Sequence, residues 1–263
     1  MRAFVSTFSV PKAGSTVAEY EDASSVGPAP ADDGEFTGPW LAAAVADGAS
    51  EAMLASRWAS HLVSSFTSAG AEQDLATTIL AAAAGWNDVE ADYRRMRDEA
   101  GEPIAWYEED GLRNGSYATI VGVHLLDADT AGEGPLVAWA LGDACFFQVR
   151  DNRMMTAFPI DEPTAFGTSP MLAPSRPLDP AKVNQNTAEL RTTWQRGDCL
   201  YLASDALAHW FLNQATAGGR PWRTLWEFGT DDAIGDFAAL VDGCRANGSI
   251  KNDDTTLVRI DIL

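Results

Sequence analysis

Basic residues are scarce in this sequence of 263 residues, which has 18 Lys and Arg against 38 Asp and Glu and a formal net charge of −20. A strongly acidic chain repels the phosphate backbone of nucleic acids unless a local basic stripe overrides the overall field. The few basic residues are scattered along the chain, so the composition excludes generic nucleic-acid binding. Two interpretations of the acidity remain, which are a solvated surface or carboxylates gathered to hold cations.

Long apolar runs are also absent. The longest, at residues 41–46 and 79–84, are far shorter than the roughly 20 residues that a membrane-spanning helix needs. The first residues do not form the apolar core of a secretory signal, because Pro11 and Lys12 interrupt them. We therefore expect a protein with no membrane span that resides in the cytoplasm.

Cysteine is rare and widely spaced, with only Cys145, Cys199 and Cys244 in the chain. An odd number at such spacing fits neither a disulfide framework nor the paired cysteines of a zinc site. We interpret the three thiols as reduced core residues. The three histidines have no partner at ligand spacing either.

Hydrophobic residues make up 46% of the chain, which is ample for a packed core, and no repeat or linker divides it. The simplest prediction is a single domain over 1–263. Apolar and β-branched runs predict strands at 3–8, 40–46, 117–126, 136–149, 187–194, 199–203 and 255–262. Helical periodicity predicts helices at 51–66 and 73–99, and further helices after Asp205 and Asp231. Gly, Pro and Asp predict loops at 24–39 and 158–180. This order of elements indicates an α+β layered domain.

Four aspartates share one local pattern, in which a short apolar strand meets an Asp beside a small or turn-forming residue. They are Asp47, Asp143, Asp205 and Asp253. Taken singly, an Asp before Gly is typical of a turn and an Asp before a helix is typical of an N-cap. Together they would form an oxygen-rich pocket suited to Mg²⁺ or Mn²⁺ if their strand ends met at one rim of a sheet.

The ordered motifs resemble those of the PP2C-type, metal-dependent protein phosphatases. The resemblance rests on Glu21-Asp22-Ala23, Ala46-Asp47-Gly48, Gly115-Ser116, Leu141-Gly142-Asp143, Ala203-Ser204-Asp205-Ala206-Leu207 and Asn252-Asp253-Asp254-Thr255-Thr256. It implies a four-layer α-β-β-α sandwich, with two antiparallel sheets face to face and helices outside. The segment Ala165-Phe166-Gly167-Thr168 is similar to the flap of bacterial members, so a flap-like loop is expected over 158–182.

The resemblance also implies a metal centre of two or three Mg²⁺ or Mn²⁺ ions. Asp47 would bridge two ions, and the carbonyl of Gly48 would be a backbone ligand. Asp205 and Asp253 would complete the first ion. The remaining assignments place Asp22 at the second ion with Glu21 acting through water, and Asp143 together with Asp205 at a third ion.

Two departures from the family pattern affect phosphate binding and the general acid. The phosphate-binding Arg of the family would fall at Val17, and Lys12 is the nearest basic residue that could contact a phosphate. A lysine supplies a point charge rather than the bidentate fork of an arginine. Eukaryotic members have a His proposed as general acid where this chain has Ala49.

We therefore predict a protein serine/threonine phosphatase of bacterial type that hydrolyses phosphoserine and phosphothreonine monoesters through a metal-activated water. A phosphorylated protein would be its substrate, and a cognate Ser/Thr kinase is a possible partner. The alternative is a catalytically weak or inactive module of the same fold that binds a phosphoprotein or regulatory partner. A third interpretation is an acidic cation-binding protein without phosphate chemistry.

Overall fold

The computed structural model describes residues 1–70, 73–129, 132–176, 179–229 and 234–263. Within these ranges the strands are β1 (Arg2–Val10), β2 (Asp22–Gly27), β3 (Glu35–Thr37), β4 (Trp40–Gly48), β5 (Tyr117–Leu126), β6 (Glu133–Leu141), β7 (Cys145–Arg150), β8 (Arg153–Phe158), β9 (Ala173–Pro174), β10 (Ala188–Gln195), β11 (Cys199–Ala203) and β12 (Thr255–Ile262). The helices are α1 (Ala55–Ser68), α2 (Leu75–Glu99), α3 (Glu108–Asn114), α4 (Pro180–Asn186), α5 (Asp205–Thr216), α6 (Pro221–Trp226) and α7 (Ile234–Ala246).

The described strands form two antiparallel sheets of six strands each. The first sheet has the order β3-β1-β12-β11-β7-β8. The second has the order β10-β6-β5-β4-β2, and the short β9 pairs with β5. The predicted α+β sandwich of two antiparallel sheets is confirmed.

Three apolar layers hold the sandwich together. Inward-facing residues of both sheets, among them Val45, Phe146 and Val258, form the central layer. The second sheet packs its outer face against α1 and α2, where Phe66 lies over Gly122 and its ring carbon is 2.5 Å from where a Cβ would stand. The first sheet packs its outer face against α5, α6 and α7, with the Phe147 ring stacked on Phe211 at 4.2 Å between centroids. Each sheet is therefore buried on both faces.

Burial on both faces explains why the strands of the core are nearly continuous apolar runs. In β4, Ala43 and Val45 point to the central layer. Ala42, Ala44 and Ala46 point to the layer under α1. The small alanines leave room for the large aromatic rings of the helices, since protein interiors are close-packed.

Several elements of the structure have the bounds that were predicted from the sequence. Strands β5, β11 and β12 match the predicted ranges, and α1 and α2 start a few residues later than predicted. The predicted run 136–149 divides into β6 and β7, which belong to different sheets. Gly142, with φ of +107°, turns the chain between them. The predicted helix start at Asp231 lies outside the described residues, and α7 is the helix that follows.

Two loop predictions need correction. The predicted loop 24–39 contains most of β2 and all of β3, since a polar edge strand lacks the hydrophobic alternation that signals a strand. The flap-like loop predicted over 158–182 begins in the last residue of β8, includes β9, and overlaps the first three residues of α4, which starts at Pro180. Asp179 caps that helix by accepting a hydrogen bond from the Ala181 N–H at 2.9 Å, and proline is well suited to a first helical position. Residues 177 and 178 of the predicted flap lie outside the described ranges.

No helix in the described part of the chain combines the length and the apolar character that a membrane crossing requires.

Candidate functional site

Two of the predicted carboxylates lie directly opposite each other on neighbouring strands. Asp22 is the first residue of β2, and its partner in the antiparallel register is Asp47, near the end of β4. Residues opposite each other in such a pair have side chains on the same face and Cα atoms about 4.5–5.5 Å apart. The register of β2 on β4 therefore fixes two acidic side chains side by side.

Three further carboxylates reach the same place from other elements. Asp143 lies in the turn between β6 and β7, Asp205 begins α5 directly after β11, and Asp253 precedes β12. Burial raises the pKa of Asp47 well above its usual range, and so do the negative charges of Asp22, Asp205, Asp253 and Asp143. The two sheets thus contribute acidic residues to one shared pocket at the end of the sandwich.

The charge of this pocket is poorly balanced within the protein. Burial raises the pKa of Asp22 to about 7, although the hydroxyl of Thr256 donates a hydrogen bond to it. Burial, aided by the charge of Asp205, raises the pKa of Asp143 to about 6. Carboxylates in such a site are stabilised by a bound cation, because its charge offsets both the desolvation and the mutual repulsion.

Two buried oxygens show that this pocket suits a hard cation. Oδ1 of Asp22 and Oδ1 of Asp205 have no hydrogen-bond partner within the described residues. Carboxylate oxygens are the ligands that Mg²⁺ and Mn²⁺ prefer. The side chains are not arranged around a single point, since among the described residues no three ligand-type side chains converge on one ion position. The donor set fits a divalent cation in chemical type, and ligation would require side-chain rotation.

The other oxygens of the cluster are engaged by groups of the protein. Oδ2 of Asp22 accepts a hydrogen bond from Thr256 Oγ1 at 2.7 Å. The Nζ of Lys251 lies 2.6 Å from Oδ2 of Asp253 and 3.8 Å from Oδ2 of Asp205. The hydrogen bond to Asp253 raises the pKa of Lys251. Lys251 therefore carries a positive charge at the edge of the pocket.

Gly48 and Glu21 lie beside the cluster. A Cβ on Gly48 would stand 2.8 Å from both the carbonyl carbon of Ala55 and the carbonyl oxygen of Glu21, so this position accommodates only glycine. The carboxylate of Glu21 accepts hydrogen bonds from Ser50 Oγ and, at 3.4 Å, from Lys12 Nζ. Glu21 therefore lies at the rim of the pocket, where its carboxylate is hydrogen-bonded. It is not among the aspartates whose charges raise the pKa of Asp47.

The basic residues expected near a phosphate are only partly in place. The side chain of Val17, at the position of the family's arginine, is 80% exposed to solvent. Although burial opposes its charge, the carboxylate of Glu21 raises the pKa of Lys12. Lys12 is therefore a charged group that is already paired.

Sequence reasoning missed three residues that organise the site. Asp254 is buried, and its two oxygens accept hydrogen bonds from the backbone N–H groups of Lys12 at 2.8 Å and Glu21 at 2.7 Å. Ser204 Oγ accepts from the Thr256 N–H at 2.9 Å, and Thr256 in turn holds Asp22. The run Asn252-Asp253-Asp254 signalled an acidic site, but only the paired strands show which of its carboxylates is structural.

The described architecture is similar to solved phosphatase structures over almost the whole chain. The photosystem II phosphatase PBCP shows 16% sequence identity and a TM-score of 0.58, with 99% of each chain covered. The serine/threonine phosphatase PstP/Ppp of Mycobacterium tuberculosis shows 14% identity and a TM-score of 0.54, with 100% of this chain and 99% of that chain covered. The catalytic domain of the phosphatase PstP, solved in complex with two manganese ions, shows 16% identity and a TM-score of 0.51, with 99% and 98% covered.

Sequence comparison adds nothing to this likeness, since no protein-family model and no curated protein matches the chain. At such low identity the structural similarity establishes the fold. The protein has the PP2C-type phosphatase fold, as its motifs predict.

Proposed function

We propose that this chain is a metal-dependent protein serine/threonine phosphatase that hydrolyses phosphoserine and phosphothreonine monoesters. The observation that carries the proposal is the cluster of Asp22, Asp47, Asp143, Asp205 and Asp253, which a PP2C-type fold brings together with unpartnered buried oxygens. A cluster with this charge has no evident role in stability, because burial and then the repulsion of the neighbouring carboxylates raise the pKa of Asp47 and of Asp143. It is suited to binding cations instead.

The roles of the residues follow the resemblance. Asp47 would bridge two divalent ions, and the carbonyl of Gly48 would be a backbone ligand. The first ion would be completed by Asp205 and Asp253, the second by Asp22 with Glu21 nearby, and a third ion would use Asp143 with Asp205. Bound ions of this kind activate water and neutralise charge on a phosphoryl group. The manganese ions reported for PstP support the choice of Mn²⁺ or Mg²⁺.

The protein's own residues prepare this centre. Asp254 ties the start of β2 to the residues before β12, through its hydrogen bonds to Glu21 and Lys12. Thr256 holds Asp22 with one oxygen free. Lys12 is the basic residue proposed to contact the substrate phosphate once its pairing with Glu21 gives way.

The wider setting belongs to the same proposal. We assign the activity to a single domain over residues 1–263, acting in the cytoplasm on a phosphorylated protein, with a cognate Ser/Thr kinase as its counterpart in a bacterial cell. The photosystem II phosphatase and PstP support a protein substrate by their own names.

The test is hydrolysis of p-nitrophenyl phosphate and of phosphoserine peptides with and without Mn²⁺. Stimulation by Mn²⁺ should disappear in Asp47→Ala and Asp253→Ala. The matched control is Asp110→Ala, because Asp110 is an exposed residue paired with the exposed Arg113. Full activity of either site variant would refute the proposal.

A second candidate is a weak or inactive module of the same fold that binds a phosphoprotein or regulatory partner. It is favoured by the exposed Val17 at the position of the phosphate-binding arginine and by the pairing of Lys12 with Glu21. A correctly folded sample that binds Mn²⁺ yet hydrolyses no phosphopeptide would support this alternative.

A further inference from the structure

The loop between α7 and β12 places one cation against two carboxylates of the proposed metal centre. Nζ of Lys251 lies 2.6 Å from Asp253 Oδ2 and 3.8 Å from Asp205 Oδ2. The two carboxylates come from different elements, since Asp205 begins α5 and Asp253 precedes β12. The Lys251 ammonium group therefore lies between the start of α5 and the residues before β12.

Neighbouring cations have other partners. Lys12 pairs with Glu21 at 3.4 Å. The guanidinium of Arg245 donates to the backbone carbonyl of Asp253 at 2.6 Å and pairs with the Asp242 side chain at 3.3 Å. Among the described residues, the ion pairs that involve the clustered aspartates are therefore those of Lys251.

The Lys251 side chain is exposed enough to move away from Asp205 and Asp253. It is 67% exposed, whereas the Asp205 side chain is 20% exposed. A lysine ammonium sits on a flexible stem of four carbons, so its departure requires only side-chain rotation. A divalent cation ligated by Asp205 and Asp253 would take the oxygens that Lys251 contacts, and the two positive charges would repel each other.

We propose that Lys251 is a tethered counter-ion that competes with the divalent cation for Asp205 and Asp253. In the metal-free protein it offsets part of the repulsion between the two carboxylates. This contact is lost when metal binds. The binding free energy of the metal is therefore less favourable by the free energy of the Lys251 contact, and the apparent metal affinity is lower. The inference rests on the metal centre of the proposed function and adds a determinant of its affinity.

Two effects of opposite sign are expected from Lys251→Gln. Apparent affinity for Mn²⁺ should increase about three- to fivefold, the upper part of the range for a partly exposed ion pair, because Lys251 contacts two carboxylates. The metal-free protein should unfold at a lower temperature, because the neutral amide no longer offsets the carboxylate charges. A residue that simply stabilised the fold would lower the melting temperature without tightening metal binding.

The measurement is isothermal titration of Mn²⁺ into metal-free protein, with thermal unfolding of the same samples. Lys251→Arg keeps the charge and should bind Mn²⁺ within about twofold of the unchanged protein. Lys182→Gln is the matched control, since it removes the same charge from an exposed position on α4. It should leave Mn²⁺ affinity within about twofold, because among the described residues the ion pairs of the clustered aspartates are those of Lys251, and solvent and salt screen an exposed charge that has no direct contact.

The outcomes separate this inference from the proposed function. Equal affinities of the unchanged protein and Lys251→Gln would overturn the competition and leave the phosphatase proposal standing. Weaker binding by Lys251→Gln, or an equal gain in Lys182→Gln, would also overturn it. Absence of Mn²⁺ binding in every folded variant would overturn both the competition and the metal centre.

Discussion

Strands β7 and β11 lie side by side and carry buried carboxylates at both ends, yet the two ends balance this charge differently. At the site end, Asp143 precedes β7 and Asp205 follows β11. At the far end, Asp198 precedes β11 and Arg150 is the last residue of β7. The strands are antiparallel neighbours, so the start of β7 adjoins the end of β11 and the end of β7 adjoins the start of β11. The carboxylates at the two ends of this strand pair can therefore be compared directly.

The far end is neutralised by the protein itself. Asp198 is 1% exposed, and Arg150 donates to both of its oxygens, with Nε at 2.6 Å and Nη2 at 2.8 Å. Gln148 Nε2 donates at 2.8 Å and the Gln195 N–H at 2.9 Å. The hydrogen bonds to Asp198 raise the pKa of Arg150. A fully satisfied buried pair of this kind fixes the local geometry.

The site end leaves comparable charges facing one another, with the largely exposed Lys251 at the edge. The difference between the two ends shows that burial of a carboxylate does not by itself identify a functional group. What distinguishes the site is the lack of sufficient compensating charge, which a cation from outside would supply.

The largest expected effect comes from breaking the far end. Asp198→Ala leaves Arg150 without its carboxylate and should lower the free energy of unfolding by about 3 kcal/mol. This is the lower end of the range for removing one partner of a buried pair, because the Arg150 side chain is 22% exposed and water can solvate its charge. Urea unfolding at neutral pH measures the loss. Asp110→Ala, which removes an exposed pair, should cost less than about 1 kcal/mol. Equal losses in the two variants would contradict the contrast between buried and exposed pairs.

The next effect concerns the pH dependence of the metal-free protein. Asp22 titrates near pH 7 when folded against a usual pKa of 3.8, so the folded state keeps a proton that the unfolded chain releases as the pH rises. Its contribution to stability is complete below pH 4 and is lost as the pH rises through 7. We expect the free energy of unfolding to fall by about 2.5 kcal/mol between pH 5 and 8 with a chelator present.

The control for this pH dependence is Asp22→Asn, which should reduce the slope because the amide does not titrate. Denaturant unfolding at several pH values measures both proteins. Stability of the metal-free protein that rises over this range would show that Asp22 is not a proton-retaining group.

A smaller effect is expected from relieving the repulsion at the site end. Asp47→Asn should raise the free energy of unfolding of the metal-free protein by about 1 kcal/mol, because it removes a charge from among like charges. The same variant should lose the increase in melting temperature that Mn²⁺ gives the unchanged protein. If Asp47→Asn were less stable than the unchanged protein, the charge of Asp47 would stabilise the fold, as that of Asp198 does at the far end.

The last test compares two variants of a carboxylate at the site end that is satisfied by backbone groups. Asn at position 254 offers one acceptor oxygen in place of two, so Asp254→Asn should cost about 1 kcal/mol, the value of one hydrogen bond. Asp254→Ala should cost about twice as much, because the N–H groups of Lys12 and Glu21 both lose their acceptor. Urea unfolding of the two variants gives the comparison, and equal costs would argue against separate hydrogen bonds.

Much of the fold was predictable because its signals are local. The apolar strands β5, β11 and β12 and the amphipathic α1 carry their pattern in consecutive residues. The aspartates at strand ends were predictable for the same reason, since Asp47 and Asp205 each follow an apolar run. Their convergence in one pocket was expected only through the resemblance of the motif series.

The rest depends on contacts between distant residues. Strand β2 has little hydrophobic alternation and exists because it pairs with β4. The ion pair of Arg150 with Asp198 joins residues 48 positions apart, and no local pattern announces it. The position of Lys251 against Asp205 depends likewise on how two elements meet, although its distance of two residues from Asp253 was visible in the sequence.

The place of β12 in the first sheet has a consequence for protein synthesis. It lies between β1 and β11, yet it is translated after every other strand described. Thr256 on this strand holds Asp22, while Asp253 and Asp254 directly precede it. A nascent chain on the ribosome therefore cannot assemble the acidic pocket until β12 has emerged and inserted between its neighbours, and a half-made copy lacks the complete cluster of carboxylates.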